Sequence, residues 1–488
     1  MNPSQKLTAF FGVLIAGTCW YLSFDLSLHV WWALWLAPVP VLYLMMRVKG
    51  FTAFGIAFVA FLIGRLSWWS YLHEVLPLLP ALLFTIVFPL VFGLVILVVR
   101  KINLRVPPAV AVFAYPVLWT AFEFLQFLFS RDGTIASVAY TQCNFLPLVQ
   151  IASITGVLGM TFLVSWVSSV MALTIHYHRR GVRVRGLVLP AVLVVVAVMA
   201  YGLVRLYGQP PQKGVRVGLV AISKQLYGND YDPRPEVELP IVNRYLQEVR
   251  ALAARGATIV VLPEKGLPVS DTAAVDITGL LAEEARHSGV TIIAGVTRLY
   301  KDHPECQAWV FSPGGRLLLN YRKVKLFEGE VYDGFVPGKA PGFFNLDGKM
   351  AGGDGLVAGV AICKDMDYED YIRLYRRQGA SMLYVPAWDF NRDGWYHSRI
   401  AMMRAVENGY SLVRNAQEGR LTISDDRGRV LAEASAEDGQ RGFLIGETGP
   451  SAGPTLYNRW GDWFGWVNLG AAILLLIFLF FGTGRHPE

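Results

Sequence analysis

Charged residues and cysteines are both scarce in this chain of 488 residues. Asp, Glu, Lys and Arg make up 17% of the sequence, whereas soluble globular proteins carry roughly a quarter. The four cysteines are Cys19, Cys143, Cys306 and Cys363. Because their spacing fits neither a zinc site nor a CxxC motif, the sequence predicts no metal centre built on cysteine.

The shortage of charge is confined to part of the chain. Residues 1–210 contain long apolar runs, whereas residues 213–448 have the composition of a soluble domain. A helix needs about 20 apolar residues to span a bilayer, and unpaired backbone groups in lipid exclude irregular structure there. Eight segments qualify: 7–24, 30–46, 51–72, 76–99, 107–129, 154–176, 187–206 and 463–482. We therefore expect seven spans in residues 1–212, a separate domain at 213–448, and a linker with an eighth span in 449–488.

Lys and Arg, which give the chain a net charge of +7, are concentrated in alternate short loops between the apolar runs. These loops hold Lys6, Arg47, Lys49, Arg100, Lys101, Arg105, Arg179, Arg180, Arg183, Arg185 and Arg485. Such a distribution is typical of membrane topology rather than of nucleic-acid binding, because positive loops stay in the cytoplasm. It predicts that both termini are cytoplasmic and that the 213–448 domain lies outside.

Residues 213–448 alternate strand-like and helix-like segments. The predicted strands are Val215–Ile222, Ala257–Leu262, Val290–Val296, Ala308–Phe311, Leu317–Tyr321, Val357–Ile362 and Ser381–Val385. The predicted helices are Val237–Arg255, Thr272–His287 and Tyr368–Gln378. This alternation favours a layered α/β domain.

Three predicted strands are followed, within two residues, by a side chain that could carry chemistry, namely Glu264, Lys323 or Cys363. Strand-end loops are where α/β proteins place reactive groups. A carboxylate can take the proton of a thiol, and an ammonium can stabilise both the thiolate and the oxyanion of a tetrahedral intermediate. Together they suffice for acyl transfer through a thioester. Each residue alone is more often structural, and spacing does not show that the three meet.

The contexts of these residues resemble the three signatures of the nitrilase superfamily. The matching segments are Leu262-Pro-Glu264, Tyr321-Arg-Lys323-Val-Lys-Leu326 and Ile362-Cys363. Other segments resemble the apolipoprotein N-acyltransferase family: Trp119-Thr-Ala-Phe-Glu123, Gly156-Val-Leu-Gly159, Met403-Arg-Ala-Val-Glu407, Leu412-Val-Arg414 and Thr455-Leu-Tyr-Asn-Arg-Trp-Gly-Asp-Trp463. The resemblance covers nearly the whole chain in the right order.

The resemblance implies an αββα sandwich in which Glu264 is the base, Lys323 the oxyanion group and Cys363 the nucleophile. It also implies a two-step reaction in the bacterial inner membrane. Cys363 would take an acyl chain from a phospholipid and pass it to the N-terminal amine of a diacylglyceryl-modified lipoprotein. The implied enzyme is a monomer that needs no metal or other cofactor and binds no nucleic acid.

Several positions depart from the family pattern. Cys363 is followed by Lys364 and Asp365, where an aromatic residue and Glu are usual, and Asp365 is a possible supporting residue of the site. Glu330, the candidate for a supporting carboxylate, lies one residue nearer the lysine than is usual, and a solvated loop charge is its alternative role. The first strand of the domain ends at Ser223 instead of the usual Gln-Gly-Asn. The loop from Val385 to Trp388 looks more like that of soluble nitrilases.

Two further residues are candidates for substrate binding. Glu123 lies inside an apolar span, where an acidic side chain usually faces a cavity or a partner. It could contact a lipid headgroup or the acceptor amine, or it could form a hydrogen bond between helices. Trp388 could line the acyl site or simply pack its loop.

Two other functions fit the same residues. A membrane-tethered amidase or nitrilase-like hydrolase would resolve the thioester with water, and the altered loops after Cys363 and Val385 motivate this alternative. A catalytically silent membrane scaffold would use the outer domain for binding. The presence of Glu264, Lys323 and Cys363 together argues against the scaffold.

Overall fold

The computed structural model describes residues 3–27, 29–222, 235–346, 356–451 and 453–481, so Ser223 and Arg485 lie outside the described residues. The chain forms two compact units. Residues Met1–Gly208 and Asp462–Glu488 belong to a helical unit, and residues Gln209–Gly461 belong to an α/β unit.

Within the described residues, seven helices of the helical unit are long and apolar enough to cross a membrane. They are Pro3–Phe24, Gly50–Val75, Leu78–Asn103, Pro108–Phe129, Val157–His178, Arg185–Tyr207 and Trp463–Phe481. Their core is aromatic, since Trp20 and Trp119 both pack edge-on against Phe61 and Phe92 with ring centroids 5.0–5.6 Å apart. Van der Waals packing of this kind stabilises helix association in lipid, where the hydrophobic effect does not act.

The segment predicted to span at 30–46 is shorter than expected. It consists of two short helices, Ala33–Leu36 and Pro38–Met45. The whole segment Ala33–Met45 extends about 20 Å when helical, against a hydrocarbon core of about 30 Å. The interruption falls at Pro38, which cannot donate a backbone hydrogen bond. A second short apolar pair, Leu146–Val149 and Ala152–Thr155, precedes the helix that begins at Val157.

The α/β unit contains two sheets. The strands of the first are β1 (Val215–Ala221), β2 (Ile259–Val261), β3 (Leu267–Ser270), β4 (Thr291–Leu299), β5 (Pro304–Phe311) and β6 (Leu317–Arg322), which are joined by β13 (Gly442–Thr448). The second contains β7 (Gly342–Leu346), β8 (Leu356–Val360), β9 (Met382–Trp388), β10 (Ser411–Gln417), β11 (Arg420–Ser424) and β12 (Val430–Ser435). The spatial orders are β13-β1-β2-β4-β5-β6, with β3 paired to β4, and β12-β11-β10-β9-β8-β7.

Three apolar cores show that the layers are helix, sheet, sheet and helix. One core contains side chains of both sheets, such as Val261 and Tyr384. A second packs the first sheet against the helices Pro235–Ala254 and Ala274–Ser288. The third packs the second sheet against Glu369–Arg377 and Gly394–Asn408. The predicted αββα sandwich is confirmed.

The direction of the central strands determines where the candidate residues lie. β1, β2 and β4 run parallel to one another, as do β8, β9 and β10. Glu264 follows β2 and Cys363 follows β8, so both lie beyond the carboxyl ends of parallel strands. Asn415 on β10 joins the sheets there, because its amide donates to Val220 O at 2.9 Å and Val261 O at 2.6 Å.

Candidate active site

Glu264, Lys323 and Glu330 form one buried cluster. The Lys323 ammonium donates to Glu264 Oε1 at 2.6 Å and to the two oxygens of Glu330 at 3.0 and 2.9 Å. Burial alone would lower the pKa of Lys323, but the two carboxylates raise it well above its usual value. The cluster therefore holds a permanent positive charge between two carboxylates.

Glu330 also binds a residue that the sequence reasoning missed. Lys265 Nζ lies 2.8 Å from Glu330 Oε1, and the amide of Phe327 donates to Glu330 Oε2 at 2.9 Å. Although burial opposes ionisation, Lys323 and Lys265 lower the pKa of Glu330 to about 2. Glu330 is thus a bound carboxylate and not a solvated loop charge. The position of Lys265 directly after Glu264 was the only signal that could have found it.

Cys363 lies on a strained turn at the end of β8. Its φ is +42°, in the left-handed region that residues other than glycine rarely adopt. The thiol is half-buried and donates to the carbonyl of Trp388 at 3.4 Å. Burial and then Glu264 raise the pKa of the thiol, whereas Lys323 lowers it. Glu264 and Lys323 both act on the sulfur electrostatically, and the resting thiol is protonated.

Asp365 links the cysteine turn to the lysine loop. Its Oδ2 accepts from Tyr321 OH at 2.6 Å and Ile362 N at 2.9 Å, and its Oδ1 accepts from Val324 N at 3.2 Å and Lys325 N at 2.8 Å. Burial raises its pKa to about 6, while these hydrogen bonds oppose the shift. The shorter Asp side chain therefore fits its four donors, and it supports the site from behind the turn.

A second thiol, that of Cys306, lies beside Glu264. Cys306 is fully buried, and its Sγ lies 3.4 Å from Glu264 Oε1. Ligand atoms of Glu264, Cys306 and Glu330 lie within 4.8 Å of one another, as a metal site would require. The Lys323 ammonium already binds both carboxylates, so it takes the place that a cation would need.

The loop after β9 completes the surroundings of the sulfur. Trp388 contributes its carbonyl to the thiol, while its indole Nε1 donates to Glu418 Oε2 at 3.1 Å. Asp389 forms a buried two-point ion pair with Arg414, with distances of 2.5 and 2.8 Å. The acyl-binding role that the sequence suggested for the Trp388 side chain stays a prediction.

His397 joins this loop to the turn that carries Cys363. Its Nε2 lies 3.1 Å from Asp393 Oδ2, and its Nδ1 lies 3.8 Å from Asp367 Oδ1. Burial lowers the pKa of the imidazole, but Asp393 and Asp367 outweigh burial and raise it to about 9. His397 is therefore an imidazolium at neutral pH, and nothing in the sequence pattern had identified it.

Glu123 belongs to the helical unit, where both carboxylate oxygens are used. Oε2 accepts from Ser137 OH at 2.7 Å and from Thr161 OH at 2.8 Å, and Oε1 accepts from Val138 N at 3.0 Å. These donors join the helix Pro108–Phe129 to two neighbouring segments. These contacts fit the hydrogen-bonding role, and the role of Glu123 in substrate binding stays a prediction.

Comparisons with known proteins match one family to each unit. Residues 16–170 match the apolipoprotein N-acyltransferase N-terminal domain, and residues 220–447 match the carbon-nitrogen hydrolase family. The earlier resemblance to both families is confirmed.

Individual relatives fall into the same two groups. An apolipoprotein N-acyltransferase of Geobacter metallireducens is 27% identical over 77% of this chain and 75% of its own length. A 2-oxoglutaramate amidase of Bacillus subtilis is 29% identical over 38% of this chain and 77% of its own length. Among solved structures, an amidase from Nesterenkonia sp. is 20% identical and covers 51% of this chain and 94% of its own, with a TM-score of 0.41.

Proposed function

We propose that the chain, which matches the apolipoprotein N-acyltransferase N-terminal domain and the carbon-nitrogen hydrolase family, is an acyl-transferring enzyme that acylates lipoproteins through a thioester on Cys363. The donor is a membrane phospholipid, and the acceptor is the N-terminal amine of a diacylglyceryl-modified cysteine. The observation that carries this proposal is the presence in one chain of the acyltransferase-type helical domain and the carbon-nitrogen hydrolase domain. The amidase relative matches only 38% of the chain.

In the first step, Glu264 takes the proton of the Cys363 thiol as the sulfur attacks the ester carbonyl of the donor. The negative charge on the tetrahedral oxygen is stabilised by the Lys323 ammonium, which is already desolvated and fixed by two carboxylates. The carbon–oxygen bond then breaks, Glu264 returns the proton to the departing alcohol, and a lysophospholipid leaves. The acyl group remains on sulfur.

In the second step, the acceptor amine attacks the thioester carbonyl. Glu264 takes the proton of the amine, Lys323 again faces the oxyanion, and the carbon–sulfur bond breaks. The proton then passes from Glu264 to the sulfur, which restores the thiol that the resting site favours. Atoms and protons balance over the two steps with only the donor, the acceptor and the side chains of the enzyme. All these side chains come from one chain, which we expect to act as a monomer.

We propose that the α/β unit faces the outside of a bacterial inner membrane and that both termini are cytoplasmic. The alternation of basic loops supports this orientation, provided that the short segment Ala33–Met45 also crosses the membrane, because Arg47 and Lys49 directly follow it. Local thinning of the bilayer can accommodate a short segment. A fusion reporter at residue 300 should be active outside the cytoplasm, and activity confined to the cytoplasm would overturn the orientation.

A membrane-tethered hydrolase is the second candidate. The residues Lys364 and Asp365 after the nucleophile depart from the acyltransferase pattern, and the amidase relative aligns with 38% of the chain. In this alternative, water takes the place of the amine in the second step. Acyl enzyme that turns over in water at the same rate with and without amine would favour the hydrolase.

The proposed function is tested with the purified full chain in detergent. Phospholipid alone should add one acyl chain to Cys363, as read by intact mass and peptide mapping. Subsequent addition of a diacylglyceryl-cysteine lipopeptide should discharge the thioester and give a triacylated peptide. Lipoproteins from cells that lack the protein should correspondingly lose the N-linked acyl chain. Failure to form a thioester on Cys363 would contradict the mechanism.

A further inference from the structure

Two ammonium groups share the carboxylate of Glu330. Lys323 Nζ binds both oxygens, and Lys265 Nζ lies 2.8 Å from Oε1. The Lys323 ammonium also donates a hydrogen bond to Glu264 Oε1 at 2.6 Å. The cluster thus contains two positive and two negative side chains, and its formal charge is zero only when Lys265 is counted.

The conformation of Lys265 is imposed by its surroundings. Its φ is +54°, in the left-handed region, although it is not glycine. Its side chain is 17% exposed, and its ammonium lies 4.9 Å from the centre of the Phe335 ring. Strained residues of this kind persist where the surrounding structure over-determines them, and they occur mainly at functional sites.

We propose that Lys265 is a positioning residue that sets the charge balance of the site. Its ammonium neutralises Glu330, so that the charge of Lys323 remains available to the Cys363 thiolate and to the oxyanion. Without Lys265 the cluster would carry one excess negative charge, and a nearby negative charge disfavours a thiolate. This inference rests on the proposed role of Cys363 as the nucleophile.

The groups that act on Lys265 come from several elements of the first sheet and its loops. Glu330 and Glu264 favour its charged form, Lys323 opposes it, and the neighbouring Cys306 thiol favours it. Burial alone would lower the pKa of Lys265, but the carboxylates outweigh burial and raise it above its usual value. The ammonium is therefore charged at neutral pH.

The test measures the ionisation of Cys363 without any lipid. The purified full chain in detergent is alkylated with iodoacetamide between pH 6 and 11, and peptide mass spectrometry gives the rate at Cys363. In Lys265→Met the midpoint should rise by about one pH unit, so that labelling below the midpoint slows about tenfold. Lys265→Arg should keep the wild-type profile. Lys301→Met should also keep it, because Lys301 is an exposed lysine between β4 and β5.

A double variant separates charge balance from structural damage. Glu330→Gln alone leaves one excess positive charge, because Glu264 still pairs with Lys323, and it should lower the midpoint. Lys265→Met combined with Glu330→Gln removes one charge of each sign, so its midpoint should return toward that of the wild type. A purely structural role would instead make the double variant at least as defective as either single variant. Thermal midpoints in detergent identify any variant that does not fold.

The outcomes are distinguishable. A Cys363 that titrates in the wild-type chain but has the same midpoint in Lys265→Met would overturn the role of Lys265 alone. A double variant whose midpoint stays raised would do the same. If Cys363 in the folded wild-type chain is not alkylated at any pH up to 11, the proposed nucleophile fails, and the role of Lys265 fails with it.

Discussion

The Asp365→Asn substitution tests how the site is held together. One carboxylate oxygen accepts hydrogen bonds from Ile362 N, next to Cys363, and from Tyr321 OH. The other oxygen accepts from Val324 N and Lys325 N in the loop after Lys323. An amide of the same shape has one oxygen and one NH₂ group, so it cannot accept on both sides. At least one of these buried donors will face another donor, and the remaining bonds lose the negative charge.

The size of the effect follows from these contacts. Hydrogen bonds to charged groups contribute about 1.5–3 kcal/mol each, and a buried unsatisfied group costs about 1–3 kcal/mol. We therefore expect the free energy of unfolding of the α/β unit to fall by about 3 kcal/mol at pH 8. Because burial raises the pKa of Asp365 to about 6, above its unfolded value of about 3.9, the wild-type chain gains stability as the pH falls through 6, and the difference between Asp and Asn should be larger at pH 5 than at pH 8.

The assay is pulse proteolysis of the full chain in urea, together with the rate of thioester formation. Displacement of the nucleophile by about 1 Å can slow a reaction about 100-fold, so we expect acylation to slow by about 10- to 100-fold in Asp365→Asn. Asp365→Glu keeps the charge and should retain more activity. Asp276→Asn, at an exposed position in the first turn of Ala274–Ser288, serves as the control. Wild-type stability and rate in Asp365→Asn would refute the bridging role.

Three further predictions concern the catalytic groups and pH. Cys363→Ala should abolish acyl-enzyme formation, and Cys363→Ser should nearly abolish it, because a hydroxyl is far less acidic than a thiol. Replacement of each other cysteine by Ala should leave the enzyme active, and a thioester found on a cysteine other than Cys363 would contradict the mechanism. Glu264→Gln and Lys323→Met should each slow acylation about 100- to 1000-fold, and the double variant should be little slower than either single variant. If the two effects on the single-turnover rate instead multiply in the double variant, the two residues act independently. The folded pKa of His397 is about 9, above its unfolded value of about 6.5. The stabilisation of the folded state by His397, on the order of 3 kcal/mol, should therefore be present below about pH 6.5 and lost as pH rises through about 9. If His397→Gln loses the same amount of stability over this pH range in urea unfolding, this histidine is not the cause.

The sequence predicted the layers of the fold because their signals are local. Apolar runs of helical length and strand–helix alternation do not depend on distant residues, and the predicted strands overlap β1, β2, β4, β5, β6, β8 and β9. The strands after Trp388 were missed, because β10 follows a helix rich in polar residues and β11–β12 form a hairpin of mixed composition. The segment 30–46 is apolar enough to be predicted as one spanning helix, but it is interrupted at Pro38, so a count of apolar residues alone overestimated its helical length.

The candidate site was predictable only where a motif marked it. A recognisable motif follows a strand at each of Glu264, Lys323 and Cys363, whereas the residues that contact them come from distant parts of the sequence. Cys306 reaches Glu264 from 42 residues away, and Lys265 pairs with Glu330 through a loop. Such contacts depend on how two sheets bring their strand ends together, and no local pattern encodes them.

Backbone strain in the α/β unit is concentrated around the site. Among its described residues other than glycine, five have positive φ, and four of these are Lys265, Cys363, Asn391 and Glu418. Each such residue costs about 1–3 kcal/mol, so the conformation must be held from elsewhere. The holding contacts are backbone hydrogen bonds between site loops, from Glu264 N to Ala387 O at 3.2 Å and from Asn391 N to Glu418 O at 3.0 Å. Because the strands anchor these loops, Glu264, Cys363 and the Trp388 carbonyl that faces the thiol are held in fixed orientations, which is what the electrostatic stabilisation of an oxyanion in the proposed mechanism requires.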